Sequence, residues 1–234
     1  MSHISETIKE LHRELEPYGA TLVAVSKFHP CEAIAEAYAA GQRVFGESRV
    51  QELLAKQKEL TETQPALVSG EDPIRWHFIG HLQTNKVRQL MGRTALIESV
   101  DSEHLLSAID TESLRAGTVT RVLLQVHVAS EETKFGMLPD EFLNFFAERR
   151  FEALKATHIC GIMGMASNTD DTERVRSDFR RIRSLFDRVR DDSSLGLRGF
   201  DTVSMGMSGD YRIALEEGST LVRIGTSIFG PRQY

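Results

Sequence analysis

Cysteine is scarce in this chain: Cys31 and Cys160 are the two among 234 residues, far apart and in no CxxC pair. That excludes a disulfide framework and a zinc ribbon, predicts no metal site, and suits a reducing cytoplasm. Long apolar runs are missing too, and none approaches the about 20 residues that cross a bilayer. The opening MSHISETIKELHRELEPYG carries charge throughout and has no apolar block of the kind a signal peptide needs. Instead Ile4, Ile8, Leu11 and Leu15 fall at helical spacing, which predicts an amphipathic helix at about residues 2–16. The final GPRQY holds no lipidation signal. Positive charge is also short. A formal net charge of -6 argues against general affinity for nucleic acid or an anionic membrane. The arginine-rich stretch ERVRSDFRRIRSLFDRVRDD shows one clean apolar face, and Glu173, Asp178, Asp187, Asp191 and Asp192 interrupt its basic residues. It reads as a solvated outer helix rather than a binding stripe.

What the chain does have is alternation. Short β-branched runs at 21–27, 42–46, 75–79, 95–100, 121–128, 157–164, 200–205 and 220–225 are separated by segments with apolar residues three and four apart, such as Val175, Phe179, Ile182, Phe186 and Val189. Helix signals accompany them: Pro30 opens one helix, a Ser48-x-x-Gln51 capping box another, Ser208 stands as an N-cap, and Gly218 closes IALEEG. Eight βα units in one chain of this length predict a (β/α)8 TIM barrel, residues 1–234 forming a single domain. A doubly wound open sheet shows the same local alternation, and the strand count favours the barrel. TETQPALVSGEDP, residues 61–73, reads as a surface excursion.

Active residues of a barrel gather where strands end. Lys27 ends the first run, Glu47 and Ser48 the second, and WHFIGHLQTNK, with His77 and His81, the third; Lys134 and Gly136 follow the fifth. SMGMSGD, with Met207 and Ser208, follows the seventh, and Gly225-Thr226 the eighth. Strand alternation puts Leu221, Arg223 and Gly225 on one face of their strand and groups Val23, Val25 and Lys27 in the same way, which makes the lysine as well as the arginine interior. If Val222 and Ile224 pack against helices, Arg223 points into the barrel, where a guanidinium needs an ion partner or a ligand. Taken singly, each has a structural explanation: a helix cap and tight turns, a snorkelling lysine, or an ion pair between Lys27 and Glu47. Together they suggest a ligand with a phosphate, a ring acceptor and an amine-reactive group. Pyridoxal 5'-phosphate has all three, since its aldehyde condenses with a lysine amine as a Schiff base. An arginine facing the pyridine nitrogen leaves that nitrogen unprotonated and weakens the ring as an electron sink.

AVSKFHP, FGESRVQE, WHFIGHLQTNK, TKFGM, GIMGMAS and above all SMGMSGDYRIALEEGSTLVRIGTSIFG resemble the pyridoxal phosphate homeostasis protein family, also called the proline synthetase co-transcribed homologue family. The resemblance covers nearly all of residues 21–234. It implies a fold-type III barrel like the one in alanine racemase, without the racemase's C-terminal β-domain, because the chain ends at Tyr234. It also implies a monomer that binds pyridoxal phosphate without catalytic turnover, serves vitamin B6 homeostasis and delivers the cofactor to apoenzymes. By motif, Lys27 forms the Schiff base, Arg223 faces the pyridine nitrogen, and Ser208, Gly225 and Thr226 hold the phosphate; Met207, Ser48 and His77 complete the expected cofactor-binding set. No residue is expected to be catalytic. Ser48 stands where the family usually has asparagine, and His81 where it often has proline. The alternative is a pyridoxal-phosphate-dependent amino-acid racemase or decarboxylase using His77, His81 or Lys134 as acid or base. A phosphate-binding regulatory module leaves Lys27 unexplained.

Overall fold

Each β-branched run becomes a strand and each amphipathic segment a helix, in strict succession. A computed structural model describes residues 2–129 and 135–231 of the chain; Lys134 and Tyr234 lie outside them. After α1 (His3–Leu15), β1 (Thr21–Val25) leads to α2 (Cys31–Ala39), and β2 (Val44–Glu47) to α3 (Val50–Thr63) and the short α4 (Ala66–Ser69). β3 (Arg75–Phe78) leads to α5 (Val87–Leu90), β4 (Leu96–Val100) to α6 (Glu103–Ala116), and β5 (Thr120–Val126) to α7 (Pro139–Ala147). β6 (Thr157–Gly164), β7 (Thr202–Met207) and β8 (Leu221–Ile224) are followed by α8 (Thr172–Arg190), α9 (Tyr211–Glu216) and α10 (Thr226–Phe229). All eight strands pair in parallel and in chain order, and β8 closes on β1 with Val23 opposite Arg223. The result is a TIM barrel, as the strand count predicts.

Strand alternation divides the apolar residues between two cores. Leu22, Ala24, Val222 and Ile224 face the helices, whereas Val23, Val44, Leu96, Leu123, Cys160, Met163 and Leu221 fill the barrel interior. The outer core takes the large aromatics: Phe142, Phe146, Phe179 and Phe186 are fully buried, and Phe186 stacks on Phe200 at 5.1 Å. Each such ring contributes roughly 1.5–3 kcal/mol by leaving water. The amphipathic α1 buries Ile8, Leu11 and Leu15, while Glu14 on its other side binds the Tyr211 hydroxyl (2.9 Å) and the Arg212 guanidinium (2.6 Å).

Several ends differ from the expected ones. β1 stops at Val25, because Ser26 opens a turn in which the His29 N–H donates to the Ser26 carbonyl (3.0 Å). Gln42 precedes β2, its buried amide donating to the carbonyls of Leu22 (2.9 Å) and Val44 (2.6 Å). Neither expected serine cap forms. Arg49, with no side-chain cap, precedes α3, and Asp210 precedes α9 while its carboxylate accepts the Met207 N–H (2.5 Å). α8 bears out the solvated reading of the arginine-rich stretch: Arg176 pairs with Glu216 (2.6 Å) and Glu217 (2.7 Å), and Arg183 with Asp187 (2.9 Å). Among the described residues no helix is long and apolar enough to cross a membrane, and no cluster of His, Cys, Asp and Glu is arranged to hold a metal.

Candidate functional site

A cavity of about 270 Å³ opens at the C-terminal ends of the strands, close to the lower end of the range for small-molecule sites. Lys27, Arg223, Met207, Ser208, Gly225 and Thr226 all line it. Lys27, Ser208, Gly225 and Thr226 come from the segments after β1, β7 and β8, and Met207 and Arg223 from β7 and β8 themselves, strands that adjoin where the barrel closes. Ile79, Met163 and Met165 supply apolar wall, and His29 stacks on Phe229 with ring centroids 5.1 Å apart. Burial first, then the charge of Lys56, holds the His29 ring below its usual pKa.

Arg223 points into the barrel, as alternation predicts, and is 4% exposed. Its Nη1 donates to the Ser204 hydroxyl, its Nη2 donates to the Gly164 carbonyl (3.2 Å), and the guanidinium lies 3.7 Å from Glu98. Burial presses the Arg223 pKa down while Glu98 and Asp210 oppose it. Glu98 also accepts from the Ser204 hydroxyl (2.6 Å) and lies 2.7 Å from His77 Nδ1. Burial acts to raise the Glu98 carboxyl, yet His77, Arg223 and Ser204 outweigh it and keep the pKa below the ordinary range. With Glu98 ionised, Nδ1 of His77 is the donor. His77 therefore sits behind Arg223 in a buried network and does not line the cavity. Ser48 does not line it either.

The turn that carries Lys27 is unusual. Ser26 to His29 close a four-residue turn in which Phe28, at the third position, has φ 66°. Glycine is the usual residue at such a place, and an L side chain there costs roughly 1–2 kcal/mol. Beneath the turn lies a buried ion cluster from β2 and α3. Lys56 Nζ contacts Glu47 (2.7 Å), Glu52 (2.8 Å) and the Ser26 carbonyl (2.8 Å), and the Ser26 hydroxyl donates to Glu47 (2.7 Å). Glu47 thus pairs with Lys56. Burial raises the Glu47 pKa against the pull of Lys56 and Ser26.

The sequence reading missed Glu98, Ser204 and Lys56. Glu98 lies two residues beyond the interior Leu96, and Ser204 stands between Val203 and Met205, which face the helices, so the alternation that singled out Arg223 points to them as well. No comparable signal marks Lys56. On a helix its burial depends on what packs opposite.

The family model of the alanine racemase N-terminal domain matches residues 1–233. A pyridoxal phosphate homeostasis protein of Aquifex aeolicus is 38% identical over 99% of this chain and 97% of its own, and the one of Homo sapiens is 35% identical over 99% and 83%. The chain belongs to the pyridoxal phosphate homeostasis protein family. PipY of Synechococcus elongatus PCC7942, solved with PLP bound, superimposes with a TM-score of 0.84 at 36% identity, over 97% of this chain and 100% of that one. An alanine racemase of Streptomyces coelicolor shares the fold at 20% identity and a TM-score of 0.72; this chain spans 58% of its length. The family departures both lie off the cavity wall. His81 contacts Asp101 (2.9 Å) and stacks on Phe135 (3.9 Å), while the backbone of Ser48 closely approaches Gly80.

Proposed function

We propose that this protein binds pyridoxal 5'-phosphate reversibly through Lys27, serves vitamin B6 homeostasis in the cytoplasm as a monomer, and delivers the cofactor to apoenzymes without catalysing a reaction of its own. One observation carries the reading: the Lys27 amine, the Arg223 guanidinium and the Ser208, Gly225 and Thr226 segment share the wall of one cavity. The residues present fit the group. A Cβ at Gly225 would come 3.0 Å from the Val25 carbonyl oxygen, a tight contact that glycine avoids, and its N–H donates to the Ser208 hydroxyl (3.4 Å). When bound, pyridoxal phosphate supplies an aldehyde that combines reversibly with a primary amine. Lys27 would offer that amine, Ser208, Gly225 and Thr226 would offer donors for the phosphate, and Arg223 would present its positive charge to the ring. His77 and His81, candidates for acid–base work in a racemase or decarboxylase, are each engaged by a carboxylate.

The test is an absorbance spectrum of the loaded protein before and after borohydride, with peptide mapping of the fixed label to Lys27. A Lys27→Ala variant is expected to be colourless. Retention of the same spectrum by that variant contradicts the assignment. Sustained uptake of solvent deuterium at the α-carbon across an amino-acid panel, at ordinary enzyme rates, overturns the non-catalytic reading.

A further inference from the structure

The strained turn and the buried ion cluster beneath it meet around a single Cα atom. Lys56 Nζ donates to the carbonyl of Ser26, which belongs to the peptide unit just before Lys27 (2.8 Å). Glu52 accepts from the N–H of Phe28, which belongs to the peptide unit just after it (2.5 Å). The two clamping side chains lie one turn apart on α3 and are paired with each other at 2.8 Å. A single ion pair therefore grips both peptide planes that flank Lys27, and fixing those planes fixes the direction of its Cα–Cβ bond. Glu47 holds Lys56 from the other side and, through the Ser26 hydroxyl, anchors the start of the turn to β2. Neither Glu52 nor Lys56 lines the cavity.

We infer that Glu52 and Lys56 are positioning residues that aim the Lys27 amine into the cavity by clamping the Ser26–Phe28 backbone from α3. The inference rests on the reading of Lys27 given above and extends it to a second layer. A relaxed turn would give Phe28 access to ordinary φ values and swing the lysine stem away from the phosphate-holding segments after β7 and β8. Covalent attachment depends on that aim, whereas holding the ring and phosphate does not. Loss of the clamp should therefore separate the two.

Two probes make the separation measurable. Pyridoxal phosphate reports attachment. Pyridoxine phosphate, which has an alcohol in place of the aldehyde, reports the non-covalent hold alone. In Lys56→Met, the rate of borohydride-fixable labelling at Lys27 is expected to fall at least tenfold, with pyridoxine phosphate affinity changed less than threefold. Glu52→Gln keeps an acceptor for the Phe28 N–H and loses the ion pair, so it is expected to lie between Lys56→Met and the wild type and serves if Lys56→Met does not fold. Hydrogen exchange at the Phe28 amide should accelerate in both variants. Parallel loss of the two ligands overturns the positioning role in favour of a merely structural one, and unchanged labelling in a folded variant overturns it outright. Failure of the wild-type protein itself to label at Lys27 brings down the functional reading instead, and this inference with it.

Discussion

Ser204 bridges Arg223 and Glu98 inside the barrel: its hydroxyl accepts from the guanidinium and donates to the carboxylate, with the two charges 3.7 Å apart. Both charged side chains are almost without solvent, at 4% and 0% exposure. Each is tolerated there because the other is present. Removing one partner leaves a buried charge uncompensated. Glu98→Ala is expected to lower unfolding free energy by about 3 kcal/mol in urea titrations, and Arg223→Met combined with it should recover part of the loss.

Acid should unload the same network. The folded-state pKa of Glu98 lies below its unfolded value, so its contribution is complete above the ordinary carboxyl range, about 4.3, and is lost as pH falls through the lowered value. Glu98→Gln cannot titrate, and its stability should fall less steeply than that of the wild type in urea unfolding below that range. Glu47 runs the other way. Burial raises its pKa, so its contribution favours the fold as pH descends from the raised value toward the ordinary one.

The segment assigned to the phosphate should discriminate between ligands that differ in that group alone. Combined Ser208→Ala and Thr226→Val substitution is expected to weaken pyridoxal phosphate binding by about tenfold or more, as lost hydrogen bonds to a charged group imply. Affinity for pyridoxal, titrated by absorbance, should change by less than twofold.

Of two glycines in SMGMSGD, one should be sensitive to a single methyl group and the other indifferent to it. Gly206 has φ 97°, and a Cβ there would lie 2.6 Å from Ala214 Cβ and 2.9 Å from Tyr211 Cα, so Gly206→Ala is expected to lose about 2 kcal/mol. Gly209 has nothing within 4 Å of such a Cβ. Thermal melts of Gly209→Ala should match the wild type within about 0.5 kcal/mol.

Barrel architecture was legible because period-two and period-3.6 apolar patterns alternate without interruption from β1 to β8. The inward aim of Arg223 followed from the same alternation, whereas Lys27 reaches the cavity from a turn, because β1 ends two residues before it. Elsewhere local signals lost to tertiary ones. Ser48 and Ser208 look like caps by residue type, but the Ser208 hydroxyl accepts the Gly225 N–H instead. Met163 and Met165 were hidden by a bulge. Register shifts where Gly161, at φ 151°, lies so near Thr202 that a Cβ would be 1.9 Å from its carbonyl oxygen, and parity along β6 changes there. The ion cluster under Lys27 was invisible for a different reason. Nothing in the sequence sets Glu52 and Lys56 apart from ordinary surface charges, and Glu47 stands out as a strand-end ion-pair partner alone, until the turn after β1 is laid over α3.

Lys27 follows the first strand and Arg223 lies in the last, and these two strands are neighbours only where the ring is fastened. The cavity accordingly straddles a junction between the earliest and latest parts of the polypeptide to be synthesised. A nascent chain that has not yet released β8 from the ribosome holds the lysine but not the arginine or the glycine-threonine pair beside it. The complete cavity wall, with Lys27 and Arg223 side by side, therefore exists only once β8 has paired with β1.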